Sequence, residues 1–371
     1  MRILANKDMK HRVGQVGMAS ILVTMVLMIV ISLIVLGFAQ VSRRNQREAL
    51  DNQLTNQAYY AAETGVNDYS KIVRSFLTAN TANQDLMKIS QTSCKPAPGS
   101  WISANMSFSN ILSSSPDVQY TCVLVNASPT TLQYGSVGST SLIIPINSSS
   151  PINNLKISWQ TTQTNLLNPA NNCPVASGVT QFPVASNWKC GLGIVRVDIV
   201  PTEGTLSLSS LQASTMTAFL VPTDPTSTGG GTVSYTGQGV NQYAQNTANQ
   251  GAIVAGKCDN TNGCSVMVTN LNSASYYLRL STIYQTASVQ IAGYNLTNSA
   301  TTLPLTGAQV LIDSTGKAQD ILRRIQVRIP VNTTAGSSTF DAAIETAQSL
   351  CKHFQTYPGY AGDPNNYCVF P

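Results

Sequence analysis

An uncharged, almost wholly apolar run of 22 residues occupies positions 18–39 and limits the folds open to this chain more than any other feature. It reads MASILVTMVLMIVISLIVLGFA. As a helix it would be about 33 Å long, enough to cross a hydrocarbon core about 30 Å thick. It is longer than the apolar core of a cleaved secretory signal, which has roughly 7 to 15 residues. The run therefore predicts a transmembrane helix at 18–41, and an uncleaved signal anchor is the simplest interpretation.

The segment before the apolar run is short, polar and basic. It reads MRILANKDMKHRVGQVG, has four basic residues against one acidic residue, and ends in Gly17 followed by Met18. It resembles a prepilin leader, which a membrane peptidase on the cytoplasmic face cuts after the glycine. Glycine suits such a junction because it puts no side chain beside the scissile bond and favours extended backbone over helix. The resemblance implies a leader at 1–17 and cleavage between Gly17 and Met18.

The apolar run continues without a break into an amphipathic pattern at 42–78. Apolar residues recur there at spacings of three and four, which is one stripe of a helix. The stripe consists of Leu50, Leu54, Ala58, Ala61, Ala62, Gly65, Tyr69, Ile72, Val73 and Phe76. No proline between Met18 and Phe76 interrupts it. We predict one helix over 18–78, on the order of 90 Å long, half in lipid and half packed on a head.

The segment ALDNQLTNQAYYAAETGVND at 49–68 makes the resemblance more specific. Together with the glycine-ended start and the apolar run, it resembles the N-terminal segment of the PilX-type minor pilins, relatives of the K-type minor pseudopilins. Most major pilins have Glu as the fifth residue of the mature chain, where it pairs with a neighbouring subunit's N-terminal amine. Counted from Met18, that position is Leu22. The resemblance implies a K-type subunit at the filament tip and not a bulk filament subunit.

Glu63 stands in the sequence among the small residues Ala61, Ala62 and Gly65. A carboxylate on a close-packing face is costly unless it is paired or hydrogen-bonded. Small residues at this density also let a second helix approach closely. We predict that Glu63 pairs with a basic group on a partner subunit or on the head, and a solvated surface carboxylate is the alternative.

Eight cysteines follow the helix, and an even number in an extracytoplasmic domain indicates disulfides. Pairing of sequence neighbours is the simplest arrangement, and other connectivities stay open. It gives Cys94–Cys122, Cys173–Cys190, Cys258–Cys264 and Cys351–Cys368. The cysteines favour an oxidising compartment for the head, which places the N-terminus in the cytoplasm even though Arg43, Arg44 and Arg47 weaken the charge bias.

The composition after residue 80 shifts to Ser, Thr, Asn and Gln with short β-branched runs. Several runs alternate apolar and polar residues, as at 194–199, which indicates strands with one buried face. The candidate strands are 119–126, 140–146, 153–161, 193–200, 205–210, 217–222, 265–270, 275–282, 288–294, 308–313 and 323–331. The predicted fold class is α+β: a long N-terminal transmembrane and amphipathic helix followed by a disulfide-containing, mostly antiparallel β head at 79–371.

Three further segments of the head carry local signals. The stretch 224–239 contains three consecutive glycines and is the best boundary between two β units, with a long surface loop in one unit as the alternative. Ser314–Gly316 is predicted as a turn between two extended runs. The apolar spacing at 340–355 predicts a short helix.

Motifs of catalysis and nucleic-acid binding are absent from the sequence. It has no H-E-x-x-H, no phosphate loop and no G-x-S-x-G, and with two histidines and no C-x-x-C a zinc site is a weak interpretation. Without residues 1–17 the formal charge falls from +5 to +2, and Arg323, Arg324 and Arg328 are too small a basic patch for nucleic acid. We predict no enzyme activity, no cofactor and no metal.

These expectations combine into a minor pilin-like subunit that takes part in assembly of a type IV pilus or pseudopilus and in surface attachment. Its implied partners are other pilin subunits through the N-terminal helix, the prepilin peptidase and the lipid bilayer, with an unidentified ligand for the head. The alternative is a signal-anchored extracytoplasmic binding module unrelated to pili. A surface glycan-processing enzyme is a weaker third class.

Overall fold

The computed structural model of the chain describes most of the helix and much of the head. The described residues are 16–79, 86–105, 117–162, 172–175, 185–203, 207, 214–227, 229–235, 253–259, 263–295 and 298–331. The expected leader up to residue 15, the helix at 340–355 and the Cys351–Cys368 pair lie outside these ranges, as does most of the candidate strand at 205–210.

Helix α1, Val16–Ala79, is continuous over 64 residues, or about 96 Å. It has two unlike halves. Every side chain from residue 20 to residue 53 is exposed, whereas the later part has a buried stripe that starts at Leu54. Leu50 was expected in this stripe but is 54% exposed, because the first contacts of the helix with the head involve Leu54 and Ala58. The predicted long helix is confirmed, with the packed half starting one turn later.

The remaining elements are short helices and strands. Helix α2 is Trp101–Asn105, and 3₁₀ turns occupy Leu86–Ile89 and Ala185–Asn187. In chain order the strands are β1 Val118–Asn126, β2 Thr131–Val137, β3 Leu142–Ile152, β4 Asn154–Thr161, β5 Ile194–Pro201, β6 Met216–Val221, β7 Thr232–Ser234, β8 Ile253–Ala255, β9 Lys257–Asp259, β10 Gly263–Thr269, β11 Ser273–Ile283, β12 Ala287–Asn295, β13 Asn298–Thr302, β14 Gln309–Ala318 and β15 Ile321–Pro330.

Strands β1, β14 and β15 form a three-stranded antiparallel sheet in that order, which we call the helix sheet. The second half of α1 packs across it. Their shared core includes Tyr69, Val73 and Phe76 of the helix together with Val123 of β1 and Ile312 of β14. The chain therefore starts this unit with a helix and one strand, and completes it about 180 residues later with a hairpin.

The predicted turn at Ser314–Gly316 is wrong, because β14 runs through it. The hairpin turn comes later, between Ala318 and Ile321, with Gln319 in the left-handed region at a φ of 54°. Ser314 is fully buried and Gly316 is in close contact with α1. The helix lies directly on these residues, so only small side chains fit there. Small residues also favour turns, and the local sequence does not distinguish the two cases.

The residues between β1 and β14 form a sandwich of two sheets. The first sandwich sheet has the order β13-β12-β4-β10-β7, with β2 paired to β12 and β9 to β10. The second has the order β3-β11-β5-β6-β8. Alternate residues such as Leu155, Ile157 and Trp159 of β4 point into a core between the sheets that shares no buried residue with the core under α1.

The head is mostly antiparallel but not purely so, since β6 pairs with β8 and β7 pairs with β10 in parallel. A parallel pair needs a crossover between its strands. Here the chain passes from β6 in one sheet to β7 in the other and back to β8, then through β9 to β10. The described part of the glycine-rich stretch at 224–239 contains β7, and the strands before and after the stretch, β6 and β8, belong to the same sandwich sheet.

Among the residues that the structure describes, three disulfides are present, and each joins cysteines that are neighbours in the sequence. Cys94–Cys122 ties the segment after the first 3₁₀ turn to β1, where Cys94 is exposed. Cys173–Cys190 and Cys258–Cys264 are buried within the sandwich core. Each closes a loop in the unfolded chain and so reduces the conformational entropy gained on unfolding.

Candidate assembly helix and its groove

The first half of α1 begins with the apolar run at 18–39, and every side chain described there is exposed. It is the one helix among the described residues that is long and apolar enough to cross a membrane. Leu22 is 64% exposed in this run, in agreement with a lipid-facing position that has no desolvation cost. Gly17 and Met18 lie in the first turn of the helix, and the surroundings of the Met18 side chain are outside the described part of the structure.

The small-residue face of the second half packs on the protein's own strand β14. A Cβ atom on Gly316 would lie 2.1 Å from the Ala58 carbonyl oxygen and 2.3 Å from the Ala62 backbone nitrogen. A Cβ on Gly65 would lie 2.3 Å from the hydroxyl oxygen of Ser314. The small residues thus allow a strand to approach closely, and this contact takes the place of the second helix that their spacing suggests.

Glu63 is not on that face. Its side chain is exposed, whereas the two preceding residues, Ala61 and Ala62, are fully buried. Within the described ranges, no residue of the head forms an ion pair with it.

Glu63 instead borders a groove of about 670 Å³ between α1 and β15, which we call the edge groove. β15 is the outer strand of the helix sheet. The helix side of the groove carries Tyr59, Glu63, Lys71 and Arg74, and its floor carries apolar residues of β15 such as Val327. Sequence reasoning identified Glu63 but missed the groove, because the helix face at 59, 63, 67, 70 and 74 lacks an apolar pattern.

Two polar contacts fix α1 on the helix sheet. The amide nitrogen of buried Gln91 donates to the Tyr69 hydroxyl over 3.3 Å and to the Val123 carbonyl over 2.6 Å. The Tyr120 hydroxyl lies 3.4 Å from the Asp68 carboxylate. Burial, reinforced by the negative charge of Asp68, raises the pKa of Tyr120 to about 12, so this hydroxyl remains a donor at physiological pH. The helix is therefore anchored at its sides as well as through its apolar stripe.

The three arginines of β15 have different surroundings. Arg323 faces α1 and lies 3.4 Å from the Thr55 hydroxyl. Arg324 faces the other way and donates over 2.6 Å to buried Asp313, and this hydrogen bond lowers the pKa of the Asp313 carboxyl. Arg328, on the same face as Arg324, donates to Thr131 of the sandwich. These residues are parts of three separate contacts and do not form one basic patch.

Within the described ranges, no group of three or more His, Cys, Asp or Glu side chains is arranged to hold a metal ion. Comparison of the chain with protein-family models, curated proteins and solved structures finds no match.

Proposed function

We propose that this protein is a PilX-like minor pilin that takes part in assembly of a type IV pilus or secretion pseudopilus. The observation that carries the proposal is the single 64-residue helix, exposed and apolar in its first half and packed on an antiparallel sheet in its second. A simple membrane anchor needs only the first half. Because the helix is continuous and its second half is packed on the head, the head keeps a fixed position relative to the subunits that contact the first half.

The assembly role rests on the faces of α1 that the head leaves open. The apolar half is free to pack between neighbouring subunits, and Leu22 lacks the carboxylate that a bulk subunit uses. Glu63 stands beside the edge groove, and no described residue of the head forms an ion pair with it. We infer that the subunit is present at low copy, that its N-terminus is cytoplasmic before processing, and that its head is extracytoplasmic.

A signal-anchored binding module is the second candidate. The observation that favours it is the size of the sandwich, which is inserted between β1 and β14 and presents a polar cleft described below. Both candidates place the head outside the cytoplasm. They differ in the leader, which is cleaved from a minor pilin and retained by a signal anchor.

Processing between Gly17 and Met18 distinguishes the two candidates. We expect the mature protein from a host with an active prepilin peptidase to begin at Met18, as measured by mass spectrometry of the intact chain. Gly17→Leu should block processing without blocking insertion, because the apolar run alone drives insertion. Recovery of a chain that retains residues 1–17 from such a host would favour the signal anchor.

The Glu63 carboxylate is expected to act in assembly and not in folding. Glu63→Ala should reduce the number of pili per cell severalfold, counted by electron microscopy, and should change the stability of the protein by no more than about 0.5 kcal/mol because the side chain is exposed. Glu48→Ala is the matched control: Glu48 is also an exposed carboxylate on α1, but it lies outside the edge groove. Normal pilus numbers with Glu63→Ala would make Glu63 a solvated surface residue.

A further inference from the structure

A second concave surface lies between the sandwich and the helix sheet, on the side of the helix sheet opposite α1. It has a volume of about 780 Å³, which is within the range of small-ligand sites. One wall is the outer face of the first sandwich sheet, and the other is formed by Leu311, Gln326 and Arg328. We call it the polar cleft.

The sandwich wall is a set of uncharged polar side chains aligned by strand register. Gln133 of β2 lies opposite Gln290 of β12, which lies opposite Ser158 of β4. In the next row Ser288 lies opposite Gln160. The three glutamines are exposed, and none of these five side chains has a hydrogen-bond partner among the described residues. Amides and hydroxyls both donate and accept, so this wall offers many hydrogen bonds without charge.

The two walls are held together by direct hydrogen bonds. The backbone nitrogen of Gln133 donates to the side-chain oxygen of buried Gln309 over 3.0 Å, and the Gln309 side-chain nitrogen donates back to the Gln133 carbonyl over 2.6 Å. Arg328 adds a bond of 2.5 Å to the Thr131 carbonyl. The cleft is therefore formed before any ligand arrives, which lowers the entropic cost of binding.

Arg328 is the only ionisable residue among the described residues that line the cleft. Its guanidinium is half-buried and bonds to the carbonyl and hydroxyl oxygens of Thr131, and no described carboxylate lies within ion-pair distance of it. Burial lowers the pKa of Arg328, which means that the charge is less well solvated here than at an open surface. An anionic group would compensate this charge through a bidentate contact.

We propose that the polar cleft binds an acidic oligosaccharide, with Arg328 contacting a sugar carboxylate and the glutamine and serine wall contacting hydroxyl groups. A sugar acid has both of the features that the cleft complements, namely many hydroxyls and a planar anion. The proposal concerns the sandwich and its junction with the helix sheet, so it does not depend on leader processing or on pilus assembly.

The test compares tetragalacturonate with its methyl ester, using the full chain in detergent micelles and isothermal titration calorimetry. The two probes share a sugar backbone and differ in charge. We expect the acid to bind about tenfold more tightly than the ester, the difference expected for one charge-assisted contact. Equal affinities, or no heat from either probe at millimolar concentration, would overturn the proposal.

Variants then assign the contacts. Arg328→Gln should remove the preference for the acid, whereas Arg323→Gln, which removes the same charge from the opposite face of β15, should retain it. Arg328 also joins the two walls, so its replacement could disturb the cleft itself. Gln290→Ala is a second variant that removes no described hydrogen bond, and it should weaken the binding of both probes severalfold. Unchanged binding by Gln290→Ala, or an equal loss with Arg323→Gln, would refute the assignment to this cleft.

Discussion

Adding one methyl group at Gly316 is expected to separate the second half of α1 from the helix sheet. In Gly316→Ala the new Cβ would stand 2.1 Å from the Ala58 carbonyl oxygen and 2.3 Å from the Ala62 nitrogen. Both are backbone atoms, so no side-chain rotation relieves the overlap and the helix has to move. We expect a loss of roughly 3 kcal/mol, at the upper end of overpacking effects. Hydrogen exchange should show lower protection of the backbone at 54–77.

Gly135→Ala is the matched control for this experiment. Gly135 also lies in a strand, β2, but a Cβ there has nothing within 4 Å. This variant should be within about 0.5 kcal/mol of the parent protein. If Gly316→Ala is equally well tolerated, the close approach of α1 to β14 is not a feature of the protein in solution.

The second large effect is expected at Trp159, in the centre of the sandwich. Its side chain is 1% exposed, and its indole nitrogen donates to the Gly193 carbonyl over 3.1 Å. Trp159→Ala removes a large apolar volume and leaves that carbonyl without its donor. We expect destabilisation of about 3 to 5 kcal/mol, as measured by thermal unfolding followed by circular dichroism.

Trp188→Ala is the comparison for Trp159. Trp188 is only partly buried, donates to the Leu192 carbonyl and contacts the Tyr284 ring at 5.0 Å. Trp188→Ala should destabilise the protein less than Trp159→Ala, because water can enter the space that the Trp188 ring vacates. A larger effect at Trp188 than at Trp159 would contradict the position of the core between the two sheets.

Local sequence patterns predicted much of the architecture. The apolar run and the absence of proline predicted a continuous helix, and the structure has it from Val16 to Ala79. Alternation predicted strands such as β5. The expectation of one solvated face is wrong there, because Ile194 on the other face is fully buried against Phe219 and Asp198 is only 6% exposed. The patterns missed β2, β7, β8, β9 and β13, because most of these strands are too short to show alternation and β2 contains Gly135.

The candidate sites were predicted less completely. Glu63 was identified by its position among small residues, but on the wrong face, because the spacing of Ala61, Ala62 and Gly65 does not reveal what packs against them. The edge groove and the polar cleft each need two elements far apart in the chain. Arg328 and Thr131, which join the walls of the cleft, are 197 residues apart.

The sequence by itself therefore determined the features that depend on neighbouring residues: the length and polarity of the helix, the extended runs and the number of cysteines. Only the tertiary structure decided that Ser314 and Gly316 belong to a strand and not to a turn, which face of α1 is buried and which polar residues share a cleft. The physical reason is that a small or uncharged residue has a weak local preference. Its role comes from the element that packs against it, and here that element lies far away in the chain.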